Sequence, residues 1–274
     1  MLGPGVTNPV TRHPAVTASA AATLQVETAG RAVLGIGRGD SALTQIGRRP
    51  VHVDELERAL VTIQGFLRGE EVDLDGAPSR IAWIADTGEP KVPVRVAATG
   101  PHVIEAAARH ADGIDLTVGA EEERVRWAIE TARSAGHEPA IGAYVNVAVH
   151  PDRAAARDLV RGSVAILARF GTEGAPATGL SEVTRRGIDE LAAAYDEAAH
   201  GQSKAPAASG LEDAFIDRFA VVGPPDDVVA RLRALNELGI ERVIVVPGSL
   251  DADPGEVARS NELFAAEVLP ALRT

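Results

Sequence analysis

The sequence contains no cysteine. This absence excludes disulfide bonds, a thiolate nucleophile and cysteine-ligated metal sites. No uninterrupted apolar run is long enough to cross a bilayer. Residues 1–9 also lack the basic region and the apolar stretch of a signal peptide. We therefore expect a cytoplasmic protein that makes no membrane contact.

Aromatic and basic residues are also scarce. Aromatic residues make up 3% of the chain, so a bound ring would be held mainly by aliphatic and backbone surfaces. Lysine and arginine number 27 against 39 acidic residues, which gives a formal net charge of −12. Proteins that bind nucleic acid usually carry a basic face. The composition therefore predicts no nucleic-acid partner, but it permits a small anionic ligand held by backbone N–H groups and a few arginines.

Apolar runs and helical patterns alternate along the 274 residues. Such alternation is typical of an α/β fold with a parallel sheet. No linker separates two cores, so we expect a single domain over residues 1–274. Strands are predicted to begin near six positions: Leu2, Ala32, Val92, Ile114, Ile141 and Arg242. The last of these strands is expected to end at residue 246.

The sequence also predicts the elements between these strands. Helices are expected over residues 14–27, 53–67, 180–199 and 254–272, with His13 near the N-cap of the first. The second of these has apolar residues at helical spacing. A short strand is possible at residues 80–84, and residues 201–210 are expected to form a loop.

Residues 2–41 have the pattern of strand, glycine-rich turn, helix, strand and glycine-rich turn. That order predicts a βαβ unit whose two loops point toward the same edge of the sheet. The turn at residues 37–39 and the later pair Gly100-Pro101 each follow a buried strand. Bare backbone N–H groups at such a place bind phosphate well, although either could be only a tight turn. The strict GxGxxG fingerprint is absent, so a classical nicotinamide site is not supported.

Asp40 follows the strand that begins near Ala32. At the carboxyl end of a barrel strand it could serve as a general acid or base, or as a hydrogen-bond acceptor. It could equally cap a helix together with Ser41. His102 and His110 share one helix but are eight residues apart with no carboxylate set nearby, so no metal site is predicted.

Four stretches resemble the bacterial-luciferase-like superfamily: GPGVTNPVTRHP, GRAVLGIGRGDSAL, VPVRVAATGPHVIEAAARHADGI and VVGPPDDVVARLRALNELGIERVIVVP. The nearest branch is the deazaflavin (coenzyme F-420)-dependent oxidoreductases, including the methylenetetrahydromethanopterin-reductase-like group. The resemblance implies a (β/α)8 fold of the TIM-barrel type with a helical insertion after the family's strand seven, which residues 153–199 would form. It also implies hydride transfer between the deazaflavin and a small organic or pterin-like substrate. An FMN-dependent monooxygenase and a non-catalytic homologue are the alternatives.

The same resemblance assigns roles to individual residues. Asp40 matches an acidic residue near the ring and the substrate, which makes it the catalytic candidate. Gly5-Val6 matches a bulge with a non-proline cis peptide that backs the deazaflavin ring. The cofactor-binding candidates are Gly5, Val6, Asn8, Gly37 and Gly39 near the ring, and Ala98, Thr99, Gly100 and Pro101 at the phosphate tail.

The resemblance departs from the family's pattern at the N-terminus. In the family two βα units precede the GVTNP strand, whereas here that strand comes first. The expected barrel therefore lacks its first two βα units and contains about six strands. Open edges of a sheet invite pairing with another chain. We accordingly expect poor solubility or a homodimer that seals the edges.

Overall fold

The computed structural model describes residues 1–136, 139–172 and 178–273. By compactness the chain divides into two units. The first consists of Met1–Ala98, His102–Asp115 and Ala132–Ala140, and the second of Thr99–Pro101, Leu116–Thr131 and Ile141–Thr274. Across both units no described helix is both long and apolar enough to cross a membrane.

The first unit begins with a long helix and a short buried strand. Its elements lie at α1 (Pro14–Glu27), β1 (Leu34–Ile36), α2 (Ser41–Thr44), α3 (Val53–Leu67), β2 (Val72–Leu74), β3 (Ala77–Ser79) and β4 (Val94–Ala98). Most of α4 (Pro101–His110) and of β5 (Gly113–Leu116) follows, together with the end of α5 (Glu122–Ser134).

Parallel pairing organises the first unit. β1 runs parallel to β4, with Leu34 opposite Val94 and Ile36 opposite Val96, and β4 is also bonded to β5. α3 packs its buried leucines toward this core at the predicted helical spacing. α1 is built from small residues, and its buried alanines let it lie close to its neighbours.

The N-terminal segment differs from its prediction as a strand. Leu2 and Thr7 form isolated parallel bridges to Ala32 and Ile36, and no continuous strand joins them. Pro4 lies between the two bridges and has no N–H to donate to a ladder. A second difference is the 3₁₀-helix at Ala82–Asp86, where a short strand was expected.

The second unit contains the longest strand of the described chain. Its further elements are β6 (Ala140–Val149), α6 (Arg153–Arg169), α7 (Glu182–Ala194), α8 (Pro206–Ser209), α9 (Asp213–Phe219), β7 (Val221–Gly223), α10 (Pro225–Leu238), β8 (Arg242–Val246), α11 (Pro254–Leu263) and α12 (Leu269–Leu272). β6 is parallel to β8 over its first half and parallel to β7 over its end.

Helices α6, α7 and α9 enclose a second apolar core. Phe215 and Phe219 stack with ring centroids 5.5 Å apart and pack among buried aliphatic residues of α6 and α7. The sequence predicted one helix from Leu180 to Ala199 and a loop from Gly201 to Gly210. The structure instead ends α7 at Ala194, places the short α8 inside that loop and adds α9, which the sequence pattern does not predict.

A π-helical turn joins α11 and α12 at Phe264–Val268, within the predicted closing helix. Pro270 follows this turn and cannot donate a backbone hydrogen bond. The wider turn accommodates the missing bond without ending the helix. The prediction of one closing helix is therefore correct in extent but not in regularity.

Candidate functional site

Two loops of the first unit are joined by backbone hydrogen bonds at the end of β1. The Thr7 N–H donates to the Gly35 carbonyl at 2.9 Å, and the Gly37 N–H donates to the Thr7 carbonyl at 2.9 Å. The loop at residues 5–8 and the turn at residues 37–40 are therefore fixed side by side. Both hold ring-site candidates, so the structure brings these residues together as predicted.

Val6 presents an apolar side chain in this region. The Gly5-Val6 peptide bond is cis, as the family resemblance implied. The Val6 side chain is 40% exposed. A Cβ added at Gly37 would lie 3.4 Å from Val6 Cγ2, and one at Gly35 would lie 3.2 Å from Val6 Cγ1. The contact at Gly37 would be ordinary van der Waals packing, so Val6 lies against this turn without excluding a side chain at Gly37.

Asn8 is buried and organises its own loop. Its Oδ1 accepts hydrogen bonds from the N–H groups of Val10 and Thr11, both at 3.0 Å. This is an Asx-type turn, in which the side chain caps the following backbone. The Nδ2 amide is then the part of Asn8 that is able to donate to a ligand.

Asp40 occupies the N-cap position of α2, one of the two roles that the sequence predicted for it. Its backbone carbonyl accepts from the Leu43 N–H at 2.6 Å, but its carboxylate makes no capping hydrogen bond to α2. Gly39 precedes it with φ +97°, and an added Cβ there would lie 2.2 Å from Leu43 Cδ1. Leu43 is fully buried, so only glycine fits this turn. The turn places the Asp40 carboxylate at the strand end without using it as a cap.

Arg38 connects this turn to a later loop, a contact that the sequence pattern does not predict. Its Nε donates to the Val51 carbonyl at 2.6 Å, and the Val51 N–H donates to the Arg38 carbonyl at 3.1 Å. The contact spans 13 residues and has no signature in the sequence pattern. Hydrogen bonds with Val51 therefore fix the turn before Asp40, in addition to the hydrogen bonds with the loop at residues 5–8.

The phosphate-site candidates follow β4. Ala98 ends the strand with its methyl group buried, so it can reach a ligand only through its backbone. Thr99, in the second unit, lies with Oγ1 2.5 Å from Thr117 Oγ1. A Cβ added at Gly100 would meet no atom within 4 Å, and α4 starts at Pro101. This loop combines open space, a hydroxyl group and the first turn of a helix.

The ring-site loops and the loop after β4 offer different chemistry. The partly exposed Val6 suits the apolar face of a ring, with an amide and a carboxylate on the adjoining loops. The open position at Gly100 and the start of α4 suit a phosphate group. Within the described residues no group of three or more His, Asp or Glu side chains is placed to hold a metal ion.

Comparison with known proteins connects these loops to a family. The model of the family described as luciferase-like monooxygenase matches residues 1–242. The chain belongs to this family. The match covers both the ring-site loops and the loop after β4, as well as helices α6 to α10. The predicted membership of the luciferase-like superfamily is thereby confirmed.

Two relatives share the name 5,10-methylenetetrahydromethanopterin reductase. The protein from Archaeoglobus fulgidus is 30% identical over 288 residues, covering 99% of this chain and 83% of the relative. The protein from Methanolobus tindarius is 30% identical over 260 residues, covering 89% of this chain and 76% of the relative. The predicted resemblance to this reductase group is therefore confirmed.

A solved structure shows the same fold. The coenzyme F-420-dependent tetrahydromethanopterin reductase from Methanopyrus kandleri matches with a TM-score of 0.72 and 26% identity. The match covers 99% of this chain and 83% of that chain. The predicted α/β fold of the TIM-barrel type is confirmed.

Proposed function

We propose that the protein is an oxidoreductase that uses coenzyme F-420 and transfers a hydride to or from a small organic or pterin-like substrate. The observation that carries this proposal is the pair of joined loops at the end of β1, with Val6 on one and Asp40 on the other. Relatives that are reductases and a similar F-420-dependent structure support the same reading. A small-molecule substrate in a cytoplasmic protein is part of this proposal.

The residues of the first unit are assigned to the ring. When bound, the deazaflavin supplies the atom that accepts or donates the hydride. Gly5 and Val6 would back its apolar face, and Asn8 would donate a hydrogen bond from Nδ2. Gly37 and Gly39 keep the adjoining turn close to the Val6 loop. Asp40 would accept a hydrogen bond from the substrate or hold a proton at its carboxylate, because the turn places this group at the carboxyl end of β1.

The residues after β4 are assigned to the phosphate. Ala98 and Gly100 offer backbone groups, and Thr99 offers a hydroxyl. Pro101 starts α4, whose first turn has unpaired N–H groups and the positive end of the helix dipole. These contacts can hold an anion even though the chain carries a net charge of −12.

A second candidate is an FMN-dependent monooxygenase of the same fold. It is favoured by the description of the matching family as monooxygenases. FMN also combines an apolar ring with a phosphate, so the same two sets of residues could hold it. The two candidates differ in reactivity, because reduced flavins react with oxygen whereas the deazaflavin works by hydride transfer.

We propose further that residues 1–274 form one domain that assembles as a homodimer. The family match runs through both compact units, which supports one domain. Leu2 is 58% exposed, and Val16 and Val26 on α1 are 55% and 43% exposed. These apolar side chains lie on the segments that a second copy would cover. Sizing by light scattering should give twice the chain mass, and a monodisperse monomer would contradict the dimer.

One titration tests the proposed function. The purified protein is mixed with coenzyme F-420 and, separately, with FMN, and quenching of ligand fluorescence gives each Kd. We expect saturable binding of F-420 that is much tighter than binding of FMN. Hydride exchange into F-420 from candidate substrates then tests the reaction. Binding of neither ligand would contradict both candidate functions.

A further inference from the structure

Two threonines of the second unit touch through their hydroxyl groups. Thr99 follows β4 and Thr117 follows β5, and their Oγ1 atoms are 2.5 Å apart. Thr99 Oγ1 also lies 3.4 Å from the Thr117 carbonyl oxygen. Thr117 is 7% exposed, whereas Thr99 is only half-buried and precedes the open position at Gly100. Thr99 is therefore the member of the pair that a ligand can reach.

The count of hydrogen atoms assigns a direction to this pair. Each threonine hydroxyl has one hydrogen to donate and can accept others. The anionic oxygens of a phosphate ester accept only, so Thr99 can bind phosphate only by donating its single hydrogen. The hydrogen in the 2.5 Å contact must then come from Thr117.

We propose that Thr117 is a positioning residue for phosphate binding. It donates to Thr99 Oγ1 and so directs the Thr99 hydrogen away from the Thr117 carbonyl and toward the phosphate. In such a chain the first hydrogen bond polarises the second, and a charged acceptor strengthens it. The inference rests on the proposed function, because it assigns Thr99 to the phosphate of the cofactor.

The test compares two ligands that differ in the phosphate. Kd values are measured by fluorescence for coenzyme F-420 and for the phosphate-free deazaflavin that carries only the ribityl chain. Thr117→Val removes the hydroxyl at nearly constant volume. We expect it to weaken F-420 binding by roughly tenfold, the scale of a lost hydrogen bond to a charged group. Binding of the phosphate-free ligand should not change, and Thr117→Ser should restore F-420 binding.

A matched control removes a hydroxyl elsewhere. Thr23 on α1 donates to the Ser19 carbonyl at 2.9 Å on an exposed face, and Thr23→Val should alter neither Kd. Thermal melting checks that each variant folds. Should Thr117→Val not fold, Thr117→Ala replaces it with the same expected selectivity.

The possible outcomes separate this inference from the proposed function. F-420 binding that is unchanged by Thr117→Val, or weakened equally for both ligands, overturns the positioning role while leaving the proposed function standing. Failure of the wild-type protein to bind F-420 overturns the proposed function, and this inference with it. Selective loss for F-420 with rescue by serine supports the assignment.

Discussion

The ring-site loops at residues 5–8 and 37–40 are held together differently from the helices α6, α7 and α9. The loops depend on backbone hydrogen bonds and on Gly39, where a side chain would overlap the buried Leu43. The helices depend on an apolar core and on ion pairs, in which Arg157 bridges Asp213 and Asp217. A few individual contacts fix the geometry of the loops, whereas many contacts together stabilise the helices.

This difference predicts which substitutions should have large effects and which should have small ones. At Gly39 a single methyl group would overlap the buried Leu43 side chain, so this turn tolerates little change. Among the helices most charges are partly exposed, and such ion pairs are individually weak. We therefore expect effects on function to concentrate in the loops and effects of single charges in the helices to be small.

The largest expected effect is that of Asp40→Asn on turnover. Loss of a positioned acid or base should lower kcat by about a hundredfold or more. The Kd for F-420 should stay nearly unchanged, because the substitution is isosteric. Asp75→Asn, in the β2–β3 turn with φ +54°, is the matched control and should leave kcat unchanged. A wild-type rate in Asp40→Asn would remove Asp40 from the catalytic residues.

Gly39→Ala should have the next largest effect. It introduces a Cβ 2.2 Å from the buried Leu43 Cδ1 at φ +97°. We expect a loss of about 2 to 4 kcal/mol in the free energy of unfolding, measured with urea, from steric overlap and backbone strain together. Gly47→Ala also has a positive φ but would meet nothing within 4 Å, so it should cost only about 1 kcal/mol. Equal losses would show that packing around Gly39 does not matter.

Asp112→Asn should destabilise the first unit in a pH-dependent way. Asp112 Oδ2 accepts from Lys91 Nζ at 2.6 Å and from the Val94 N–H at 2.7 Å. Burial opposes ionisation, but these hydrogen bonds prevail and lower the pKa of Asp112 below its ordinary value of 3.8. At pH 7 the substitution should cost about 1 to 2 kcal/mol, the range for lost hydrogen bonds to a charged group.

The sign of this pH dependence follows from the lowered pKa. The contribution of the Asp112 carboxylate is fully present above pH 3.8 and is lost as the pH falls through the pKa of the folded state. The difference in stability between wild type and Asp112→Asn should therefore shrink below pH 4 in urea titrations. A difference that stays constant from pH 7 to pH 3 would contradict the assigned hydrogen bonds.

The smallest effects should come from the charged helices. Arg157 is 18% exposed and pairs with two aspartates, whereas the Arg185–Asp189 pair has side chains 52% and 66% exposed. Arg157→Gln should cost about 1 kcal/mol, and Arg185→Gln should cost between about 0 and 0.5 kcal/mol. Chemical denaturation of both variants at low and high salt measures these costs. A larger loss for Arg185→Gln would reverse the expected order.

Much of the fold could be predicted from local pattern. α3 and β8 have their predicted bounds. The apolar residues of α3 recur at helical spacing, and β8 consists mainly of consecutive apolar residues. α1 also starts and ends near its predicted positions. His13 caps its start through Nδ1, and Thr28 follows its end. α9 was missed because its seven residues are too few to show a period.

The candidate site also combines features that the sequence predicted with contacts that it did not. Glycine turns and the following Asp40 were visible because they are contiguous in the sequence. Arg38 with Val51 and Thr99 with Thr117 were not foreseen, because each pair is brought together only by the fold, 13 and 18 residues apart. The cofactor roles of Gly37 and Asn8 stay predictions, and the structure adds that Val6 packs against Gly37 and that Asn8 caps its own loop.

Titration of the purified protein with coenzyme F-420, compared with FMN, is the strictest test of the proposed cofactor. We expect saturable quenching with F-420 and a Kd well below that for FMN. We further expect that Gly39→Ala weakens binding while Gly47→Ala does not. If the folded wild-type protein shows no saturable binding of F-420, the proposed cofactor is wrong.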